Sequence, residues 1–230
     1  MSNTIGFRIR PRGPRVPDDI VGGFASLQTV HVTDAMRRFN ALDATVRPLV
    51  PGAVMCGRAL TVRPAAGDNL AVYLAMRHIE PGDVLVIESR GQTAVAQWGD
   101  TTALVARGAG AAGAVLDGAV RDVRGIVEAG LPVFASPAVV ANGSTRVGPG
   151  EINVPVAVGG VAVLPGDVVF GDDHGVVVIP ADEAAAVLED ARAVAARDAA
   201  TTRGATDRDP SVVAWVDDAV RAAGYPGAGA

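Results

Sequence analysis

Two carboxylates and a guanidinium carry the first chemical signal: Asp100 is followed by twenty residues and then by Arg121 and Asp122. An Asp carboxylate is a hard oxygen donor suited to Mg²⁺ or Mn²⁺, ions that keep several waters and accept few protein ligands. The adjacent Arg offers a planar fork that matches a carboxylate. If Asp100 caps the helix read after it, the N–H groups of Thr101 and Thr102 form an anion site beside the metal. By itself an Arg-Asp pair is usually a surface salt bridge, and spacing alone leaves both readings open.

Other signals exclude chemistry. All twenty Lys+Arg positions are Arg, so no amine is present for a Schiff-base aldolase, a pyridoxal-phosphate enzyme or a Walker A site. Gly108-Ala-Gly110-Ala-Ala-Gly113 satisfies G-x-G-x-x-G, yet a helix precedes it and a strand follows, the reverse of a dinucleotide fingerprint. That order also counts against a methyltransferase. His31, His78 and His174 are dispersed without zinc spacing. Asp172, Asp173 and His174 read as a charged turn rather than a metal cluster. Asp117, before Gly118, is placed to orient the Arg121 loop, and Trp98 reads as packing.

These residues need elements to bring them together. Asp100 to about Arg107 reads as a helix, AVLDG (114–118) as a short strand ending in a turn, and RDVRGIVEAG (121–130) as a helix closed by Gly130. Helix, strand and turn between Asp100 and Arg121 return both carboxylates to one end of the strand. Upstream, a helix capped at Thr33 ends near Asn40, residues 46–64 alternate as strand, and 67–79 form a helix capped by Asp68 or Asn69. PGDVLVIES and LPVFAS are buried strands. Strands repeat through 154–180, a helix covers 181–200, and 211–224 form a last short one.

At 230 residues the length fits one core, 21–200, behind an Arg-rich arm (1–20) and before a C-terminal helix and tail (201–230). Hydrophobic residues make up 49% and aromatics only 4%, so Val, Ala, Leu and Ile must build that core. A net charge of −5 argues against a general nucleic-acid or membrane binder. One cysteine, Cys56, no leader and no long apolar run point to a soluble cytoplasmic protein.

TDA (33–35), RPLVPGAVMCGRALTV, GDN (67–69), PGDVLVI, WGD (98–100), GAVLDGAVRD (113–122), GLPVFA and NVPVAVGGVAVLPGDVVFGDDHGVVVIP stand in the order of the RraA-like family's blocks. From about Thr33 to Asp198 the chain resembles that family of class II 4-hydroxy-4-methyl-2-oxoglutarate aldolases, whose signature is an acidic residue, twenty residues, then Arg-Asp. The resemblance implies an α/β fold of the swivelling β/β/α three-layer type with flanking N- and C-terminal helices. It implies that Asp122 ligates a divalent metal, Mg²⁺ or Mn²⁺, and that Asp100 holds metal-bound waters. Arg121 and the backbone of Thr101 and Thr102 would bind the pyruvyl moiety, and Asn69 would line the pocket. The family forms trimers or hexamers with the site between subunits, to which a neighbour's C-terminal helix brings an acidic residue; Asp198 is the candidate. A small 2-oxo acid is then the substrate, and oxaloacetate decarboxylation a second activity. The family also resembles regulators that bind a ribonuclease E-type endonuclease, and the basic arm is the feature that would suit such a partner.

Overall fold

The computed structural model describes residues 4–136 and 138–225. In chain order the elements are α1 (Asp18–Phe24), α2 (Thr29–Ala35), β1 (Arg47–Pro48), β2 (Met55–Pro64), α3 (Leu70–Ala75), β3 (Asp83–Ile87), α4 (Asp100–Gly108), β4 (Gly113–Leu116), α5 (Val123–Ala129), β5 (Val133–Ala135), β6 (Gly150–Ile152), β7 (Val156–Val158), β8 (Val161–Val163), β9 (Val168–Asp172), β10 (Gly175–Ile179), α6 (Ala184–Thr206) and α7 (Trp215–Ala222). One sheet runs β1-β5-β4-β3-β2-β9-β10, with β6 on the C-terminal half of β2. Strands β2 to β5 are parallel, while β1, β6, β9 and β10 join antiparallel.

Period-two alternation assigns the faces. Val84, Val86, Val115, Phe134, Val169, Val176 and Val178 point inward, where the β7–β8 hairpin adds Val156, Val158 and Val163. Their neighbours Leu85, Ile87, Leu116 and Val133 point outward beneath α3, α4 and α5. Val168, Phe170, Val177 and Ile179 point outward under α1, α2 and α6. The sheet therefore curls until its two halves face each other, which gives the expected α/β layering with flanking helices. A strand apolar on both faces must be covered on both, so β3, buried at all five positions, lies in the middle.

The chain departs from the local reading at several elements. Helix α2 begins at Thr29 rather than Thr33, because the His31 ring accepts the Gln28 N–H locally at 3.2 Å and a carboxylate from across the fold adds to that cap. Asp172 accepts the Thr29 N–H at 2.8 Å and its hydroxyl at 2.6 Å, while the Thr33 hydroxyl donates back to the Thr29 carbonyl. The strand read over 46–64 is two strands on distant parts of the sheet, joined by a turn. Strand β6 falls in a Gly/Pro-rich link that reads as loop; it forms because the β2 edge and the arm, through Ile9 beside Ile152, pair with it from both sides. Helix α6 continues to Thr206, and Pro210–Val213 is a 3-10 turn before α7.

Among the described residues, no helix is long and apolar enough to cross a membrane. The arm is clamped to the body: Arg8 pairs with buried Glu151, Arg12 with fully buried Asp83 at 2.6 Å, and Arg15 with Glu80 at 2.8 Å.

Candidate active site

Strands β3, β4 and β5 end side by side, and the loops that leave them pair with one another through Trp98 and Val120, Val120 and Val139, and Ala96 and Gly143. Ligands of open parallel sheets gather at such carboxyl ends. Here the loops and the start of α3 enclose a cleft of about 320 Å³ whose walls include Asn69, Tyr73, Asp100, Arg121, Asp122 and Arg146.

Helix α4 opens on one wall. Gly99 is its N-cap and Asp100 its first residue, so Asp100 does not cap the helix as expected. The buried Thr102 hydroxyl does that work, accepting from the Gly99 N–H at 2.8 Å and donating to the Gly99 carbonyl at 2.7 Å. Asp100 Oδ1 accepts the Thr101 N–H at 2.5 Å, so an incoming anion would share that donor. Among the described residues nothing donates to Asp100 Oδ2.

The turn after β4 supplies the opposing pair. Asp122 has φ 53°, a left-handed conformation that costs a side-chain-bearing residue about 1 kcal/mol or more. That backbone sets Asp122 at the start of α5, with Oδ2 3.1 Å from Arg121 Nε and both side chains half-exposed. Asp122 Oδ1 and the terminal nitrogens of Arg121 have no partner among the described residues.

Three glycines let these groups approach. A Cβ on Gly99 would lie 3.3 Å from Asp122 Oδ2, on Gly125 2.5 Å from Asp100 Cβ, and on Gly143 2.4 Å from Arg121 Nη1. At Gly125 the contact needs a residue without a side chain, while at Gly99 and Gly143 a Cβ would push aside the tips of Asp122 and Arg121.

A further wall comes from α3 and the loop after Asn142. Asn69 caps α3 by position and is buried; its Oδ1 and the indole N–H of buried Trp98 lack partners among the described residues. Asp68 beside it accepts from the Leu70 N–H at 2.8 Å, and from the Thr145 hydroxyl and the Val147 N–H at 2.7 Å each. Burial pushes this carboxyl up, but those donors outweigh it and hold it below the usual carboxylate range.

The structure thus brings Asn69, Asp100, Thr101, Thr102, Arg121 and Asp122 to one cleft. Asp117 lies outside it and accepts the Ser89 and Arg90 N–H groups at 2.7 and 3.1 Å, fixing the loop after β3 rather than touching Arg121. Burial raises its carboxyl above the ordinary value. Asp198, on α6, lies 3.6 Å from His31 and is exposed, away from this chain's cleft. Asp172 and Asp173 cap Thr29 and Gly52 separately, in keeping with a turn. Burial pushes the Cys56 thiol up to about 12, which leaves it unreactive. Tyr73, Ser144 and Arg146 line the cleft without any signal in the sequence, since GSTR sits in a link with no periodicity.

A curled mixed sheet with Asp, Arg and Asp at the carboxyl ends of its parallel strands defines an α/β protein built around a small polar cleft. The chain belongs to the RraA-like family, whose model, described as Aldolase/RraA, matches residues 29–178. A protein of Halalkalibacterium halodurans named "Putative 4-hydroxy-4-methyl-2-oxoglutarate aldolase" is 38% identical over 199 residues, covering 86% of this chain and 94% of that one. An uncharacterized Pseudomonas syringae protein of known structure superposes with a TM-score of 0.77 at 25% identity, over 86% of this chain and 93% of the other. The RNA-processing inhibitor RraA from Thermus thermophilis gives 0.62 at 31% identity, over 66% and 92%.

Proposed function

We propose that the chain is a divalent-metal-dependent aldolase that cleaves 4-hydroxy-4-methyl-2-oxoglutarate or a related 4-hydroxy-2-oxo acid to pyruvate, with oxaloacetate decarboxylation as a second activity. The observation that carries it is the convergence of Asp100, Arg121 and Asp122 on one cleft, seated against glycines, with one oxygen of each carboxylate unengaged among the described residues.

The donor set fits Mg²⁺ or Mn²⁺. Two Asp carboxylates on one cleft are hard oxygen donors, and such an ion accepts few protein ligands and keeps most of its waters. Asp122 Oδ1 would ligate it directly, and Asp100 Oδ2 would face its waters. When bound, such a cation supplies Lewis acidity toward a chelating 2-oxo acid.

The chain's own groups do the rest. Arg121, braced by Asp122, presents its free nitrogens to the substrate carboxylate and to the oxygen at C2, where negative charge develops. Asp100 Oδ2 receives the proton of the C4 hydroxyl through a water. The C3–C4 electron pair moves to C3 as C4 becomes a carbonyl, and protonation at C3 completes pyruvate. Loss of CO₂ from oxaloacetate passes through the same enolate. The absence of Lys agrees with a route that needs no iminium.

Homotrimers or hexamers in the cytoplasm, without nucleic-acid or membrane partners, complete this reading. The rival reading, a regulator of a ribonuclease E-type endonuclease, leaned on the basic arm. Arg8, Arg12 and Arg15 are each paired inside the chain, which weakens that support.

The test is pyruvate release from oxaloacetate and from 4-hydroxy-4-methyl-2-oxoglutarate by protein stripped with EDTA and then given Mg²⁺ or Mn²⁺. Turnover restored above the metal-only control is expected. No turnover on either acid would sink the aldolase assignment and shift weight to the regulator.

A further inference from the structure

The cleft holds two guanidiniums that differ in charge balance. Arg121 leans on Asp122, whereas Arg146 has no carboxylate or hydrogen-bond partner among the described residues. Its side chain lies over the Tyr73 ring, 5.1 Å from the centroid. Such a cation–π contact holds a guanidinium over the ring while leaving its N–H groups free.

The backbone on either side is anchored. The Thr145 N–H donates to the Gly67 carbonyl at 2.9 Å, the Thr145 carbonyl accepts the Asn69 N–H at 3.0 Å, and the Val147 N–H donates to buried Asp68. Tyr73 stands one helical turn beyond Asn69, its N–H bonded to the Asn69 carbonyl at 3.1 Å. Asp68 and Asn69 thus tie the guanidinium and the ring beneath it to the start of one helix. An uncompensated cation held this way has been positioned for an anion.

We propose that Arg146, laid on Tyr73, is the specificity-determining residue that receives a second carboxylate, at the end of the substrate away from its 2-oxo acid group. The inference rests on the aldolase reading for what the Arg121 end holds. Tyr73 is a positioning residue, acting only through the ring over which the guanidinium is held.

The test is calorimetric titration of the full chain in excess Mg²⁺ with 2-oxoglutarate and with 2-oxopentanoate, which differ in bearing a terminal carboxylate or a methyl. The wild-type chain is expected to prefer 2-oxoglutarate by about tenfold to a hundredfold, the range of one charged hydrogen-bonding partner. Arg146→Ala should bring that ratio toward one, and Arg146→Lys should restore only part of it, because an ammonium lacks the fork. Tyr73→Phe should keep the preference and Tyr73→Leu reduce it. A wild-type ratio near one, or a ratio that survives Arg146→Ala, overturns the proposal, as does undetectable binding of both acids. Because the titration needs no turnover, the preference can stand where pyruvate release fails, which would remove the aldolase reading alone. Pyruvate release with a ratio indifferent to Arg146 would remove this inference alone.

Discussion

Asp122 combines an unusual backbone with an unengaged oxygen, and both features can be tested together. Asn fits the left-handed conformation about as well as Asp and keeps the side-chain shape, so Asp122→Asn should leave the unfolding midpoint almost unmoved. It lacks the charge to hold a divalent cation, and metal-restored pyruvate release is expected to fall at least a hundredfold. Activity within twofold of wild type would take Asp122 out of the mechanism. Gly125 tests the same wall of the cleft from the side of α5. Alanine within α5 gains up to about 1 kcal/mol of helix propensity, but its Cβ would stand 2.5 Å from Asp100 Cβ. Because a Cβ is fixed to its backbone, α4 and α5 must shift apart, so Gly125→Ala should lower the thermal midpoint despite the propensity gain, and should displace Asp100 and lower kcat more than KM, as steady-state kinetics would read.

Helix α3 and the loop beyond Asn142 depend on one buried carboxylate. Asp68 is held below its ordinary value of 3.8, so near that pH the carboxyl group binds fewer protons in the folded chain than in the unfolded one. Its stabilising contribution is complete above pH 3.8 and is lost as pH falls through the lower, folded value. Asp68→Asn cannot match the acceptor strength toward the Val147 and Leu70 N–H groups. The variant should be less stable at pH 7 by about 2 kcal/mol, and its urea midpoint should decline less steeply below pH 4 than that of the wild type. Parallel midpoints across that range would remove Asp68 as the loop's anchor. Helix α4, in contrast, is fixed locally by Thr102 bonding to both backbone groups of Gly99.

For the molecule as a whole, the arm acts as a strap. Asp83 is fully buried at the start of the central strand β3, and Arg12 donates to both of its oxygens at 2.6 and 2.7 Å. Among the described residues, Arg12→Ala leaves that carboxylate with only the Glu80 N–H, at a cost of roughly 3 kcal/mol in chemical denaturation. A loss under 0.5 kcal/mol would show the arm to be dispensable. At the same scale stands the proposed assembly. Ile5, Phe7 and Val147 are each more than 60% exposed, apolar area of a kind that subunit contacts cover. Light scattering is expected to give three or six times the mass of one chain, 23.2 kDa, and a strictly monomeric active species would contradict it.

Which features could be read without coordinates follows from the range of the forces involved. Strands β3 and β4, helices α4 and α5 and the Gly130 stop are visible because backbone propensity, side-chain period and glycine's tolerance of positive φ act within a few residues. The Asp100, Arg121 and Asp122 spacing is equally local: one helix, one strand and one turn carry the chain back on itself, which lets the three meet, while their roles came from the resemblance to the family and not from the spacing. The rest of the cleft depended on tertiary structure. Arg146 and Tyr73 lie 73 positions apart, in a link and a helix that meet because Asp68 bonds to both and Thr145 bonds to the backbone of Gly67 and Asn69. The start of α2 rests in part on an acceptor from Asp172, and strand β6 exists only between β2 and the arm. Where a buried donor or acceptor takes its partner from across the fold, the need for a partner is written in the sequence, but its identity is set only when the sheet closes.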